Sequence, residues 1–386
     1  MERRKYLQIP GPTNIPSSVL NSLSKPTINH RGKEFEKLVA ECVAGLKDVL
    51  KTKNDVLMFP SSGSGILESA IVNLFSPGDK VAAVCHGVFS ERMADIAESH
   101  GLEVTRINVE WGKAVKPEDI VKVLEKDENK GLKAVCLPHN ETTSGITNKL
   151  EDIMKAIKET GHPALTIVDS VSGLACMPLK TDEWGIDILV GGSQKGLMLP
   201  PGIGIVSISK KAWELVDKAT MAKWYWDYKP MKERMEINQF RYTPPTNLLF
   251  GLKESLELIK EEGLENVWDR HKYIGDAVRI SAKAMGLKLF AEEGYESNSV
   301  TAIELPEGVD YKKLASILED KYNVIIGGGL RKLSGKIFRI GHLGSIFNTD
   351  IYAVMGAVEM ALYEAGYKVE LGTAGKALGE LFTKNN

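Results

Sequence analysis

Cysteine is scarce in this 386-residue sequence, and no two cysteines stand close enough to form a C-x-x-C pair. The four that occur, each in an apolar stretch, are Cys42, Cys85, Cys136 and Cys176. We therefore expect reduced, buried thiols in a cytoplasmic protein rather than a disulfide framework. None of the seven histidines forms the H-E-x-x-H pattern of a zinc site. The sequence thus predicts no metal.

An excess of charge of one sign is also lacking. The 49 basic and 51 acidic residues are interspersed and give a net charge of -2, so no basic stripe indicates nucleic acid binding. No apolar run approaches the roughly 18 residues of a membrane-spanning helix. The first residues, MERRKYLQIPGPTN, carry charge without an apolar segment behind them, so we expect no signal peptide.

Short apolar runs alternate with amphipathic stretches through the first two thirds of the chain. Continuous apolar strands joined by helices predict an α/β protein whose mostly parallel, seven-stranded sheet lies between layers of helices. The runs predicted to be strands are 55–59, 80–84, 103–109, 133–137, 165–169, 187–191 and 204–208. Helical patterns include 35–50, 117–126 and 149–160.

The pattern changes after about residue 245 and predicts a smaller α+β C-terminal domain. Two long helical patterns, 248–263 and 264–286, precede an alternation of strand-like and helical segments that extends to residue 366. No linker rich in proline, glycine or serine separates the two parts, so one long helix is expected to bridge them. We predict an N-terminal segment near the active site over 1–20, a large domain over 21–250 and a small domain over 251–386.

The segment FPSSGSGILESA (59–70) follows the first predicted strand. Its serine and glycine turn leads into a helix that is predicted to begin near Ser64. Glycines let the backbone approach an anion, and the first N–H groups of a helix favour negative charge. The segment therefore indicates either a phosphate site or an ordinary helix-capping turn. Its spacing is neither that of a Walker loop nor that of a dinucleotide-binding fingerprint.

Three other side chains follow predicted strands, at the edge where sheets of this class bind ligands. Asp169 ends a buried strand, Lys195 lies in the loop GGSQKG after another, and Phe89 opens a helix. A carboxylate in a crevice needs a cationic or N–H partner, and a desolvated lysine becomes a nucleophile for carbonyl groups. Taken singly, the patterns favour a structural interpretation instead, with Asp169 as a helix N-cap or turn residue and Lys195 as a surface loop lysine.

One cofactor uses all of these parts together. Pyridoxal phosphate carries a phosphate, a flat ring, a ring nitrogen that stays protonated beside a carboxylate, and an aldehyde that reacts with a lysine amine. The sequence therefore predicts that this cofactor is attached to Lys195 and that Asp169 pairs with its ring nitrogen. Once substrate has displaced it, the amine of Lys195 can carry a proton between the substrate's Cα and the cofactor's C4′.

The segment 168–209, with the pattern D-S-V…G-S-Q-K-x-L-x-x-P-P-G, strongly resembles the class V pyridoxal-phosphate aminotransferases of fold type I. The resemblance is greatest to the alanine–glyoxylate and serine–pyruvate/glyoxylate branch. It continues through IPGPTNIP (9–16), HRGKEF (30–35), SSGSGILESAIVNLFSPGD (61–79) and FRIG (338–341). It implies a cytoplasmic homodimer with the active site at the subunit interface.

The resemblance also implies roles for individual residues. Phosphate ligands would be Ser64, Gly65 and the backbone of Ile66, with Gln194 beside them. Phe89 would stack on the cofactor ring and Thr142, in HNETTSG, would lie near its hydroxyl or edge. The substrate carboxylate would bind Arg339, a bidentate task suited to a guanidinium group, and Gly11 or Asn14 would lie nearby.

One segment departs from the family pattern. A tyrosine and a threonine of the neighbouring subunit reach the phosphate in the family, and here QFRYTPPTN supplies Thr243. Phe240 stands where the tyrosine is expected, so Tyr242 is the candidate for the hydroxyl contact.

The predicted function is transfer of an amino group from alanine or serine to glyoxylate or pyruvate by a ping-pong mechanism. Aspartate, ureidoglycine or 2-aminoethylphosphonate as donor, and a non-catalytic scaffold subunit, are the alternatives. A second substrate carboxylate would need a second cation, for which Arg31 and Arg241 are candidates. Each also has a structural interpretation, Arg31 as a partner of Glu34 and Arg241 as part of a subunit contact. A cysteine desulfurase is not expected, because no cysteine follows Cys176.

Overall fold

The computed structural model describes residues 5–384. Its strands are β1 (Tyr6–Gln8), β2 (Asp55–Ser61), β3 (Lys80–Cys85), β4 (Glu103–Asn108), β5 (Leu132–Pro138), β6 (Asn140–Glu141), β7 (Ile146–Thr147), β8 (Leu165–Asp169), β9 (Ile188–Gly192), β10 (Gly202–Ile208), β11 (Val300–Glu304), β12 (Val324–Gly328) and β13 (Ile337–Gly341). Its α-helices are α1 (Ser17–Leu23), α2 (Lys33–Leu50), α3 (Gly63–Leu74), α4 (Val88–Ser99), α5 (Pro117–Lys126), α6 (Leu150–Glu159), α7 (Thr181–Trp184), α8 (Lys210–Val216), α9 (Tyr228–Glu236), α10 (Thr246–Glu262), α11 (Leu264–Ala284), α12 (Tyr311–Tyr322), α13 (Asn348–Ala365) and α14 (Thr373–Lys384).

The large sheet contains all seven predicted strands, in the order β2-β10-β9-β8-β5-β3-β4. Its pairs are parallel except those of β10, which runs antiparallel to both β2 and β9. Every residue of β8 and of β9 is buried, as expected for central strands covered by helices on both faces. The prediction of a mostly parallel seven-stranded sheet is confirmed.

The carboxyl ends of the parallel strands lead directly into helices or tight loops. Ser62 caps α3, and this helix packs across β9 and β10 rather than staying beside β2. The crossing brings its N-terminus over the middle of the sheet. The register pairs Asp169 with Pro138 on one side and with Val190 on the other, so the ends of β5, β8 and β9 meet at one edge.

A second sheet has the order β1-β12-β13-β11. The N-terminal strand β1 pairs in parallel with β12, so the residues that follow it are held against this smaller sheet. Helix α11 begins in the apolar core of the large sheet, with Val267 and Trp268, and continues into a second core from Ile274 onward. The bridging helix expected from the sequence is therefore present, while the domain boundaries at residues 20 and 250 stay a prediction.

Within residues 5–384, no helix combines the length and the apolar character needed to cross a membrane.

Candidate active site

Lys195 lies in a constrained loop just after β9. The Ser193 hydroxyl donates to the Pro200 carbonyl at 2.7 Å and accepts the Ile203 N–H at 3.2 Å, which ties the two ends of the loop together. The Lys195 ammonium donates to the Pro10 carbonyl. Burial, reinforced by the nearby Arg339 guanidinium, lowers the pKa of Lys195 to about 8. The amine is therefore much closer to its nucleophilic form at neutral pH than an exposed lysine would be.

The segment after β1 forms one wall around this lysine. Gly11 has a φ of +129°, and a Cβ there would stand 2.6 Å from Cδ and Cε of Lys195. The Thr13 hydroxyl donates to the Lys195 carbonyl at 3.3 Å. The amide of Asn14, by contrast, is bonded at both ends to the backbone of Leu7, at 3.2 and 3.1 Å. Asn14 thus orders the wall in this arrangement.

Asp169, at the end of β8, is a buried carboxylate with one occupied oxygen. Oδ1 accepts the Val171 N–H at 2.9 Å, and Oδ2 accepts no hydrogen bond from residues 5–384. Burial raises the pKa of Asp169 to about 6, and the negative charge of Glu141 adds to the rise, while Arg92 and Lys195 oppose it. A cationic N–H donor from a ligand would satisfy Oδ2 and favour the ionised form.

The N-terminus of α3 lies close to both of these loops. A Cβ on Gly63 or on Gly192 would meet the side chain of Val171, at 3.1 and 3.4 Å, so α3, the Asp169 loop and the end of β9 converge there. Gly65 has no room for a side chain either, because a Cβ would stand 2.6 Å from the Ser61 hydroxyl.

Polar groups at this helix end are partly unsatisfied. The Gly65 N–H donates to the Ser62 hydroxyl at 3.4 Å and the Ile66 N–H to the Ser62 carbonyl at 3.1 Å, so the N–H groups of Gly63 and Ser64 carry the anion-binding capacity of the helix end. The Ser64 hydroxyl accepts a hydrogen bond from Arg92 Nη1 at 2.9 Å. Gln194 Oε1 is buried and has no hydrogen-bond partner within the described part of the chain.

Phe89 and Thr142 are positioned by a buried carboxylate that the sequence analysis did not single out. Glu141 is fully buried, and its oxygens accept the N–H groups of Ser90 at 2.8 Å and Thr143 at 3.0 Å. It thereby joins the first turn of α4, which carries the half-buried Phe89, to the turn that carries Thr142. A glutamate three residues after the end of β5 was the available signal.

Arg339 is held in the middle of β13 with only 6% of its surface exposed. Nε donates to the Gly328 carbonyl and Nη1 to the Thr142 carbonyl, both at 2.9 Å. Burial lowers the pKa of Arg339, while Glu141 and Tyr311 oppose the shift. Nη2 has no hydrogen-bond partner among residues 5–384, so one arm of an oriented guanidinium group remains for a ligand.

Tyr242, which precedes Thr243 in the chain, belongs to a cluster of aromatic side chains beside the N-terminus of α3. The Tyr242 hydroxyl donates to the Tyr225 carbonyl at 3.1 Å, and the two rings stack with centroids 4.3 Å apart. Tyr225 contacts Trp226, whose indole lies against Gly65, and this is how Tyr242 is connected to the rest of the site. Thr243 is exposed.

Phe240, unlike Tyr242, is part of the buried core. It is 1% exposed and packs on Phe35 with ring centroids 6.2 Å apart. Its carbonyl accepts a hydrogen bond from Arg31 Nη1 at 2.6 Å. The same nitrogen donates a longer hydrogen bond to the Gln239 side-chain oxygen at 3.4 Å. Glu34, considered as a structural partner of Arg31, is not among its hydrogen-bond or ion-pair partners in the described structure.

The residues brought together fit pyridoxal phosphate. The unpartnered Oε1 of Gln194 and the end of α3 suit a phosphate, with the amide turned to present its N–H group. The open Oδ2 of Asp169 suits a protonated ring nitrogen, and Lys195 suits an aldehyde. The cofactor would thus provide partners for a buried oxygen of Gln194 and for Asp169 Oδ2, which have none among residues 5–384.

Comparison with known proteins identifies relatives over almost the whole length. A sequence model of the family "Aminotransferase class-V" matches residues 5–340. A serine–glyoxylate aminotransferase of Methylorubrum extorquens is 40% identical over 99% of this chain and 97% of its own. An L-aspartate–glyoxylate aminotransferase of Paracoccus denitrificans is 42% identical over 98% of this chain and 96% of its own. A Synechococcus protein named as the small subunit of a soluble hydrogenase is 41% identical over 95% of both chains.

Solved structures show the same fold. The crystal structure of ureidoglycine–glyoxylate aminotransferase from Bacillus subtilis superposes with a TM-score of 0.92 over 99% of both chains, at 27% identity.

Proposed function

The chain belongs to the class-V aminotransferases, a family that uses pyridoxal phosphate, and from that membership we propose that it transfers an amino group from alanine or serine to glyoxylate or pyruvate. The proposed mechanism is ping-pong, so the donor's oxoacid leaves before the acceptor binds. Relatives named for serine and for aspartate both support glyoxylate as an acceptor. The observation that carries the proposal is the meeting of Lys195, Asp169 and Arg339 in one buried site.

Bound pyridoxal phosphate supplies an aldehyde that takes up the amino group and a ring that withdraws electrons from the substrate's α-carbon. With the cofactor bound, Lys195 would take the proton from the substrate's Cα and carry it to the cofactor, a role for which its lowered pKa is suited. Asp169 holds the proton of the ring nitrogen. Arg339 binds the α-carboxylate through its open Nη2 and fixes the Cα–H bond near the Lys195 amine.

Arg31 and Arg241 are the candidates for binding a second carboxylate of the substrate, and their contacts favour small uncharged donors instead. Arg31 is bonded to the Phe240 carbonyl. Arg241 donates to the Trp224 carbonyl at 2.7 Å and lies 4.5 Å from the centre of that indole ring. Each guanidinium group thus already has a partner within this chain, and Arg241 also lies 3.9 Å from the Asp227 carboxylate. These contacts support ranking alanine and serine above aspartate as donors.

We further propose that the protein acts as a homodimer in the cytoplasm. Trp224 and Tyr225 are 66% and 38% exposed and, with Tyr242, form an aromatic surface beside the α3 end of the site. Large exposed aromatic side chains are typical of protein contacts. A partner that covered this surface would approach the phosphate-binding end of the site.

Half-reactions test the proposed function. Holoenzyme freed of unbound cofactor is mixed with alanine, serine or aspartate without an acceptor, and the released oxoacid is quantified. We expect about one oxoacid per subunit from alanine or serine, followed by glycine on addition of glyoxylate. Steady-state kcat/KM for the three donors then ranks them. If aspartate were better by about tenfold or more, and Arg31→Ala or Arg241→Ala removed that advantage, the donor assignment would be wrong.

The same half-reactions also test the alternative that the protein is a non-catalytic subunit. A relative named as a hydrogenase subunit is among the similar proteins. If the protein bound pyridoxal phosphate but released no oxoacid from any of a panel of amino acids, amino transfer as its function would be refuted.

A further inference from the structure

Arg92 connects two parts of the site that the sequence analysis treated separately. It stands three residues after Phe89 on α4, and residues at this spacing share a face of a helix. Its guanidinium carbon lies 4.9 Å from the centre of the Phe89 ring. Its Nη1 donates to the Ser64 hydroxyl at 2.9 Å, at the N-terminus of α3. Arg92 therefore spans from the ring that would stack on the cofactor to the helix end that would bind its phosphate.

The positive charge of Arg92 has no carboxylate partner among residues 5–384. The acidic residues beside it on α4 are bound to other groups. Glu91 accepts from Trp111 at 3.1 Å and from Arg331 at 2.8 Å. Asp95 pairs with Arg106 at 2.7 Å. A half-buried guanidinium group without a counter-ion is costly, so a missing anion is indicated.

The field of Arg92 also reaches the catalytic end of the site. It is one of the two cations that oppose the raised pKa of Asp169. The hydroxyl that Arg92 contacts belongs to Ser64, and the buried Oε1 of Gln194 without a partner belongs to the same region. A single anion at the end of α3 would thus be a binding partner for three groups: the N-terminus of the helix, the Gln194 amide and the Arg92 guanidinium group.

We propose that Arg92 is the counter-ion of the cofactor's phosphate, acting across the Ser64 hydroxyl, and that it also fixes the Phe89 ring against which the cofactor lies. It is a positioning residue, since it does not touch the atoms that react. This inference rests on the proposed use of the α3 end as the phosphate site. A guanidinium group that is held by an aromatic face on one side and by a hydroxyl on the other is already oriented before the phosphate arrives.

The experiment compares binding of pyridoxal phosphate and of pyridoxal, which lacks the phosphate, to the cofactor-free protein. For Arg92→Gln we expect the Kd of pyridoxal phosphate to rise about ten- to a hundredfold, the size of a lost charge-assisted bond. The Kd of pyridoxal should rise only slightly, by up to about threefold, because loss of the contact between Arg92 and Phe89 weakens stacking while no phosphate charge loses its counter-ion. Arg92→Lys keeps the positive charge but loses the planar guanidinium group, so its Kd for pyridoxal phosphate should lie between those of wild type and Arg92→Gln.

Arg331→Gln is the matched control, because it removes a guanidinium group that contacts the same helix but is bound to Glu91 and lies 53% exposed. It should leave both affinities unchanged. Thermal stabilisation of the cofactor-free protein by inorganic phosphate should be present in wild type and Arg331→Gln and lost in Arg92→Gln.

Two outcomes would overturn the inference. Equal losses of pyridoxal phosphate and pyridoxal affinity in Arg92→Gln would mean that the residue only supports Phe89. Unchanged affinity for pyridoxal phosphate would mean that its charge is not used. Because these binding measurements need no amino donor, a failure of the proposed donor or reaction leaves them interpretable, and their failure leaves the half-reactions interpretable.

Discussion

Substitution of Gly11 by alanine tests whether the close approach of the N-terminal wall to Lys195 is needed for activity. A methyl group there would stand 2.6 Å from Cδ and Cε of Lys195 and nearer still to its amine. Ordinary contact between such atoms begins at 3.4 Å. The segment 10–13 follows β1 closely, and its Thr13 hydroxyl is bonded to the Lys195 backbone, so the flexible end of the lysine side chain is the part that yields.

The expected shift of the Lys195 amine is about an ångström, and a misplacement of that size costs on the order of a hundredfold in rate. This corresponds to about 2.7 kcal/mol in activation free energy. A second, separate effect follows from the backbone, because Gly11 has a φ of +129°. Alanine in such a conformation is destabilising by about 1–3 kcal/mol. The variant should therefore lose both stability and activity, for different reasons.

Gly366→Ala separates the two effects. Gly366 has a φ of +104°, and a Cβ there would have no neighbour within 4 Å from the described residues 5–384. It should lose a similar amount of stability in urea unfolding and keep its kcat. The reasoning would be refuted if Gly11→Ala kept kcat within about threefold of wild type while losing no more stability than Gly366→Ala.

Three further substitutions address the side chains around the lysine. Lys195→Ala should lower kcat by more than about a hundredfold with the fold intact, whereas Lys158→Ala, at an exposed position of α6, should be unchanged; residual activity above that level would contradict the role of Lys195. The folded pKa of Asp169, about 6, lies above its unfolded value, so its contribution to stability is present near pH 4 and is lost as the pH rises through 6. Asp169→Asn should accordingly gain up to about 3 kcal/mol over the cofactor-free wild type between pH 4 and pH 7, and it should slow Cα deprotonation in single turnovers; a pH-independent difference in urea unfolding would contradict the pKa argument. Arg339→Lys should raise KM for donor and acceptor by about tenfold or more, through the lost planar donor set, and a fall in kcat alone would contradict carboxylate binding.

The strands of the large sheet could be predicted closely because each is a continuous apolar run that ends at a polar or glycine-rich turn. The sequence placed the strand that ends at Asp169 over 165–169, the range that the structure shows. The short strands β1 and β12 were not predicted. Three residues such as Tyr6–Gln8 carry no periodicity, and this segment becomes a strand only because β12 offers an edge to pair with.

The supporting residues of the site escaped sequence reasoning for a different reason. Arg92 and Glu141 are charged, and a charge on a helix or after a strand usually indicates a solvated position. Glu141 is buried because the first turn of α4 and the turn at Thr143 present two N–H groups to one carboxylate. That arrangement joins segments some fifty residues apart, and nothing in either segment alone indicates it.

Phe240 shows how burial decides which side chain can serve a subunit contact. Its ring is part of the core that contains Phe35, and its carbonyl anchors Arg31, so a tyrosine at this position would bury a hydroxyl against an aromatic ring. Tyr242, two residues on, lies on the exposed aromatic surface instead. In the proposed homodimer, Tyr242 rather than Phe240 would therefore supply the aromatic side chain with a hydroxyl for the partner's phosphate. It would have to exchange its bond to the Tyr225 carbonyl for one across the interface, and since one hydrogen bond replaces another, the net cost is on the order of 1 kcal/mol or less.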